Sequence, residues 1–347
     1  MPTIMLTFAD GDRVRIASRS GETILAAARR AGIPLSSDCE VGDCQTCRAA
    51  CVAGKVEYDE LSSISLSREE VDSGEILPCV TMAAGDLELR LPYERTKLVP
   101  VKKFSVKIEE IRRLSGSVVA VTGCMLGLAP LRFLPGQYVH LQVPGTSEWR
   151  SYSMANAPGE NRILEFYVRL LDDGVMSRYL TERAAPGDVI QGHGPQGAFY
   201  LRSGVRPLLM VAGGTGVAPM VSMLRQMIAS GEHRPVTLCF GVTEVSDLFL
   251  VDDLAGIASS LPECDLRIAI ACASPRPGFH SGFVTDLIGD EGAASSDIYL
   301  CGPPAMTDRA RAIVTECGAV ASSIFSERFV PTAGGGTQVR VNANAGP

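Results

Sequence analysis

Cys39, Cys44, Cys47 and Cys79 form a C-x4-C-x2-C…C pattern, three thiols on one short loop and the fourth after 31 intervening residues. This is the spacing that holds a plant-type 2Fe-2S cluster, in which each iron takes two thiolates. Three thiolates from a tight loop and one from a remote segment can cage two irons and two sulfides, which makes a one-electron carrier. Gly42 permits a sharp turn between Cys39 and Cys44, and the residues around it supply N–H groups that could point at the anionic sulfurs. Structural zinc also accepts four thiolates, but its usual sites pair closely spaced cysteines on two knuckles. Cys51 reads as a small core hydrophobe rather than a ligand.

A second constellation is Arg150-Ser151-Tyr152-Ser153, which offers a cation, an aromatic plane and hydroxyls on a predicted strand. That set suits a flavin: Arg150 for the pyrophosphate, Tyr152 along the isoalloxazine, Ser151 and Ser153 for hydrogen bonds, Ser153 near N5. Alone, such a tetrapeptide is usually an ordinary strand. Val168 lies on a further predicted strand and is assigned to the same site, and Gly174-Val175-Met176-Ser177 opens a helix whose N–H groups could receive a phosphate.

The third constellation lies at strand ends. The turn Ala212-Gly213-Gly214-Thr215-Gly216 joins an apolar run to a helix, where glycines let a dinucleotide pyrophosphate approach the backbone. Its spacing departs from G-x-G-x-x-G, which disfavours an ordinary Rossmann dehydrogenase. Cys301-Gly302-Pro303 ends another apolar run and belongs at the same carboxyl edge of an open sheet. After the strand ending at Phe240, Glu244 and Asp247 are available to a ribose and no arginine is present to clamp a 2′-phosphate, so NADH is expected over NADPH. His193 reads as structural, and His280 is not expected to touch nucleotide.

The elements that must carry these residues fall into three modules. In residues 1–95, a hairpin from Thr3 to Ile16 turns at Asp10-Gly11-Asp12, and a helix over Glu22–Ala31 ends at Gly32 and Pro34. Strands are expected near Arg48–Val52, Ile76–Cys79 and Leu87–Leu91, and a linker runs from Pro92 to Pro100. Residues 101–203 contain short strands, Phe104–Ile111, Val118–Gly123, Tyr138–Val143, Glu165–Arg169 and Val189–Gly192, a pattern that favours a barrel. Residues 204–330 alternate apolar runs at Leu208–Ala212, Val236–Phe240, Leu266–Ala271 and Asp297–Cys301 with helices, one over Ala218–Ala229, which implies a parallel α/β sheet. The tail, 331–347, reads as disordered.

Composition bounds the function. The 347 residues are 46% hydrophobic and 20% charged, ordinary for a soluble multidomain protein. The eleven cysteines are odd in number and follow no secretory signal, since Met1–Phe8 alternates like a strand, so the cytoplasm is expected. No apolar stretch reaches the roughly 18 residues that a membrane span needs. Residues 1–95 carry a balance of −6 out of the total −7, which argues against nucleic acid and for docking on a basic protein surface, or for solubility alone.

Taken in order, these motifs, with Gly194-Pro195-Gln196-Gly197 and Phe325-Ser326-Glu327-Arg328-Phe329, resemble the ferredoxin reductase superfamily. The chain to about Val330 is similar to ferredoxin-first reductases of bacterial aromatic-ring oxygenases, the benzoate and anthranilate 1,2-dioxygenase reductases above all. The resemblance implies a multidomain protein: a β-grasp 2Fe-2S ferredoxin, a six-stranded antiparallel FAD barrel and an α/β NAD domain of about five parallel strands. It implies flavin contacts for Arg150, Tyr152 and Ser153, nucleotide contacts for Gly213–Gly216, and a place near the hydride path for Cys301. Phe329 is similar to a terminal aromatic that covers flavin, although 18 residues follow it. Cys301 as a buried strand end and Phe329 as core packing stay open beside these roles.

The implied activity is that of an NADH:acceptor oxidoreductase. Nicotinamide delivers two electrons as hydride and a 2Fe-2S centre accepts one, so a flavin must convert between them. The expected path runs from NADH through FAD and the cluster to a terminal oxygenase, the reductase itself being a monomer. Reductases of diiron phenol, toluene or methane monooxygenases and of a sugar dehydrase share this architecture. A redox sensor or electron carrier with a vestigial flavin site is the reading from another class.

Overall fold

The structure, a computed structural model, describes residues 1–58, 64–159, 161–272, 274, 276–289 and 292–329. Val330 and the tail expected to be disordered, 331–347, lie outside the described residues. Two compact units emerge: Met1–Pro100 with Gln196–Ala198, and Val101–Pro195 with the residues from Phe199 on.

The first unit is built on a mixed sheet. Strands β1 (Thr3–Thr7) and β2 (Arg13–Ala17) form the expected hairpin, in which Phe8 N–H donates to the Asp12 carbonyl at 2.9 Å. Helix α1 (Ile24–Arg30) starts where Thr23 Oγ1 accepts the Ala26 N–H at 3.2 Å, and buries Ile24, Leu25, Ala27 and Ala28. Then come β3 (Ala49–Ala53), β4 (Val56–Tyr58), α2 (Arg68–Asp72), β5 (Glu75–Ile76), β6 (Thr81–Ala83) and β7 (Leu87–Arg90). The main sheet has the order β2-β1-β7-β3-β5, with β1 and β7 parallel, and β4 pairs with β6. One expectation is corrected here. Ile76–Cys79 is not a strand beyond Ile76, because Val80 N–H folds back on the Leu77 carbonyl at 3.0 Å, and its apolar run packs a turn.

The second unit begins with a six-stranded antiparallel barrel: β8 (Lys102–Arg113), β9 (Val118–Met125), β10 (Tyr138–Gln142), β11 (Trp149–Ser153), β12 (Ile163–Arg169), helix α3 (Val175–Glu182) and β13 (Val189–Gln196). The order is β11-β10-β13-β8-β9-β12, and an irregularity between Ile108 and Glu110 bends the long β8. The ends meet where Met154 bridges Phe166 and Ala155 N–H donates to the Glu165 carbonyl at 2.8 Å, so the seam lies just past Ser153.

The rest of this unit is a parallel sheet. Its elements are β14 (Leu208–Gly213), α4 (Val217–Ser230), β15 (Val236–Val242), α5 (Val251–Ser259), β16 (Cys264–Ile270), β17 (His280–Ser281), β18 (Asp297–Gly302), α6 (Pro304–Glu316) and β19 (Ile324–Arg328). The order is β17-β16-β15-β14-β18-β19, all parallel, which makes six strands rather than five, the first of only two residues. Met210, Val211, Ala212, Cys239, Phe240, Tyr299 and Leu300 have no exposed surface, as strands covered on both faces require.

Candidate functional site: paired thiols and a strand-end cluster

Within the first unit the thiols pair two and two. Cys47 Sγ lies 3.3 Å from Cys79 Sγ, and Cys44 N–H donates to Cys39 Sγ at 3.4 Å. The Cys44 thiol also donates to Cys39, which with N–H groups of Cys44, Val41 and Asp43 lowers the Cys39 thiol to about 6. That same contact, together with burial, pushes Cys44 up. The second pair behaves alike: Cys47 donates to Cys79, lowering Cys79, which also receives the Gly42 N–H, while Cys47 is raised.

The loop can wrap this way because Glu40, Gly42 and Gln45 all take left-handed backbone angles, with φ of 57°, 87° and 57°. Among the described residues no three His, Cys, Asp or Glu side chains close on one point as around a single ion. Two pairs of thiols on N–H donors instead fit a centre of two irons that takes two thiolates each. Arg48 braces the loop from behind, bonding Glu70 at 2.6 Å and Glu75 at 2.9 Å, and Glu70 closes the capping box of α2 with Ser67. Cys51 is half-buried on β3, outside both the loop and the core, its thiol 3.5 Å from the Ala53 carbonyl.

In the barrel, β11 splits its side chains between two faces. Arg150 bonds Glu148 at 2.5 Å and Tyr152 packs edge-on to Phe166 at 6.4 Å. Ser151 turns the other way, its Oγ 3.0 Å from His140 Nδ1, and His140 stacks on His193 at 4.6 Å. His193 is therefore part of a packed aromatic group. Val168 is buried in the barrel core, as is Met176. Gly174 precedes α3, whose start has no side-chain cap, so its N–H groups suit a phosphate; Val175 begins the helix, and Ser177 Oγ accepts the Leu171 N–H at 2.8 Å.

The carboxyl ends of β14 and β18 are neighbours, Ala212 pairing with Cys301. A Cβ at Gly216 would overlap the Cys301 carbonyl oxygen, so glycine there is what lets the turn after β14 close onto the end of β18. Gly214 is needed for a different reason, its φ of 54°. Thr215 lies in the same turn, and Pro303 caps α6. Neither α4 nor α6 has a side-chain cap, but Pro303, Pro304 and Pro219 carry no N–H, so the amides that suit a pyrophosphate at this edge belong chiefly to the glycine turn.

Cys301 has no exposed surface, and burial, reinforced by the nearby Glu327 carboxylate, pushes its thiol well up. Glu327 stands beside Cys301 in the β18–β19 register, and Ser153 Oγ donates to Glu327 Oε2 at 3.2 Å. Phe329 N–H donates to the Gly302 carbonyl at 2.9 Å, and its half-buried ring packs on the core. The structure thus brings together Ser153, Cys301, Gly302 and Phe329 around an acid that motif reading overlooked. Glu327 had one visible signal, an acid two residues before Phe329 and hence on the same side of an extended strand. Asp247 is taken up elsewhere, accepting Ser117 Oγ at 2.5 Å, while Glu244 is exposed. His280 is exposed at the end of the sheet, 3.6 Å from Asp286.

Comparison with known proteins gives the same three modules. Family models match for a 2Fe-2S iron-sulfur cluster binding domain over residues 7–84, an oxidoreductase FAD-binding domain over 106–200 and an oxidoreductase NAD-binding domain over 210–312. The chain is 35% identical to the toluate 1,2-dioxygenase electron transfer component of Pseudomonas putida, across 94% of this chain and 98% of the relative. It is also 35% identical to the 2-halobenzoate 1,2-dioxygenase electron transfer component of Burkholderia cepacia, across 96% and 99%. Among solved structures an Amycolatopsis cytochrome P450 reductase superposes with a TM-score of 0.71 at 29% identity, covering 95% of this chain and 99% of that one. The three cofactors of these modules are a 2Fe-2S cluster, FAD and NAD. With its paired thiols, flavin strand and nucleotide turn in this order, the chain belongs to the family of ferredoxin-reductase-type oxygenase reductases.

Proposed function

We propose that this protein is the NADH-dependent reductase component of an aromatic-ring-hydroxylating dioxygenase, with modules at 1–95, 101–203 and 204–330. When bound, FAD supplies the conversion of a hydride into single electrons, and the 2Fe-2S cluster supplies their one-electron outlet to a partner oxygenase. Cys39, Cys44, Cys47 and Cys79 hold the irons. Arg150, Tyr152, Val168 and the Gly174–Ser177 turn hold FAD, and Ser151 supports that strand from behind through His140. Gly213–Gly216, Gly302 and Pro303 hold the dinucleotide.

The observation that carries this reading is the hydrogen bond from Ser153 to Glu327 beside Cys301, where the flavin strand ends against the nucleotide edge. Hydride transfer depends on stacking and orientation, so these groups position rather than exchange protons in bulk. Glu327 orients the Ser153 hydroxyl. Cys301, kept neutral by burial, places no thiolate next to a nicotinamide ring. Phe329 supplies an aromatic surface at the same edge.

No helix among the described residues is long and apolar enough to cross a membrane, which is compatible with work as a cytoplasmic monomer. Anaerobic addition of NADH to the purified protein tests the reading. Flavin and cluster absorbance both bleach, and the bleaching is reoxidised by an aromatic-acid dioxygenase component. A spectrum that NADH leaves unchanged would leave only a carrier or sensor.

A further inference from the structure

Helix α4 does two things at once. Its first turn follows the Gly213–Gly216 turn, and its flank grips the barrel at the seam just past the flavin strand. Ser222 Oγ, fully buried, donates to the Asn156 carbonyl at 2.7 Å, and Arg225 Nη1 donates to the Ala155 carbonyl at 3.1 Å. The same Arg225 nitrogen bonds the Glu165 carboxylate on β12. Glu165 is tied into the seam as well, its carbonyl accepting Ala155 N–H and its N–H donating to Asn156 Oδ1 at 3.0 Å. Ala155 and Asn156 follow Ser153 by two and three residues. Ser222 and Arg225 lie only about 9 to 14 Å along a rigid helix from Gly216.

We propose that Arg225, assisted by Ser222, is a positioning residue for hydride transfer: it sets the place of the flavin strand's exit relative to the nucleotide turn. The proposal rests on the NADH-to-FAD reading above. The geometry favours positioning over simple cohesion, because the two halves of this unit are joined elsewhere too. Tyr167 packs on Phe249 at 6.3 Å, Ser117 bonds Asp247, and one apolar core runs from Val118, Ala120 and Tyr167 of the barrel to Met220 and Leu224 of α4. Removing the guanidinium leaves those contacts in place and takes from the seam only the bonds to the Ala155 carbonyl and the Glu165 carboxylate. Asp253 is the other charge near Arg225, and the phenol of Tyr167 lies beside Glu165.

The test uses the full chain loaded with iron and FAD, in anaerobic stopped flow over a range of NADH concentrations. Arg225→Met is expected to lower the limiting rate of flavin bleaching about 10-fold or more, since a misplacement near 1 Å is enough for that. Its half-saturating NADH concentration stays within about 3-fold, because the nucleotide's own contacts are intact. The long-wavelength absorbance of nicotinamide stacked on flavin weakens in step, and Arg225→Lys restores both to some degree. An unchanged limiting rate with only a lowered unfolding temperature, or a shift confined to half-saturation, overturns the proposal. If Arg225→Met does not fold, Ser222→Ala and Glu165→Gln carry the test, and wild-type limiting rates in both overturn it. A wild-type protein that NADH fails to bleach overturns the underlying reading instead, and the proposal with it.

Discussion

Ser153 and Glu327 stand 174 residues apart in the chain, yet the hydroxyl of one meets the carboxylate of the other at 3.2 Å. Removing either partner breaks this contact at the point where flavin and nicotinamide are proposed to meet. Ser153→Ala and Glu327→Ala should each slow NADH-driven flavin bleaching about 10-fold or more while FAD stays bound. Glu327→Gln keeps an acceptor oxygen and should lose less. Stopped-flow rates beside flavin content decide this.

Replacement of any one of Cys39, Cys44, Cys47 or Cys79 by Ser leaves an unbalanced pair, and iron content and cluster absorbance should fall to near zero. Flavin bleaching by NADH should persist, because the nucleotide edge belongs to the other unit. Cys51→Ser should keep full iron, since its thiol rests on the Ala53 carbonyl. Iron assay and visible spectra separate these cases.

Gly216→Ala forces a methyl group onto the Cys301 carbonyl and must push the turn after β14 away from the end of β18, at a cost of about 1–3 kcal/mol. Gly214→Ala meets only the Arg169 guanidinium, at an ordinary contact distance of 3.7 Å, but keeps a left-handed backbone, at a cost of about 1–2 kcal/mol. Both lower the unfolding temperature, and Gly216→Ala should lose more NADH turnover. Calorimetry with steady-state assays gives the ranking.

The Cys301 thiol is held up by burial and by the negative Glu327, so raising the pH does not ionise it in the range where an ordinary cysteine, near about 8.5, becomes reactive. Alkylation followed by peptide mass spectrometry should label the exposed Cys272 early. Cys301 should stay unlabelled from about pH 7 to about pH 9 until the fold opens. Cys239, pushed up to about 12 by burial, should behave like Cys301.

With Asp247 accepting the Ser117 hydroxyl and Glu244 exposed, Glu244 is the acid proposed to face a ribose. Glu244→Arg should therefore raise the NADPH-to-NADH ratio of kcat/KM by about 10-fold. Asp247→Asn should leave the ratio where it is. Steady-state kinetics with both nucleotides checks the pair.

Much of this architecture was legible because particular residues leave little freedom. The Cys39–Cys47 loop has a spacing fixed by ligand geometry, and Leu208–Ala212 or Val236–Phe240 are apolar runs that only a strand covered on both faces needs. Reading failed where a pattern had two meanings. Ile76-Leu77 looks like strand but packs a turn, and Ile324–Arg328 has a single fully buried residue, so its strand leaves no apolar run. The Ser153–Glu327 and Arg225–Glu165 contacts join positions 174 and 60 residues apart, and no local spacing encodes them.

Glu70 serves two masters, closing the start of a five-residue helix and receiving Arg48 from the residue after Cys47. A helix that short has no independent existence in water. Opening of the grip on Arg48 should therefore speed deuterium exchange at the Val71 and Ser73 amides, which bond the Ser67 and Glu69 carbonyls, and that exchange reads how often the iron's housing breathes.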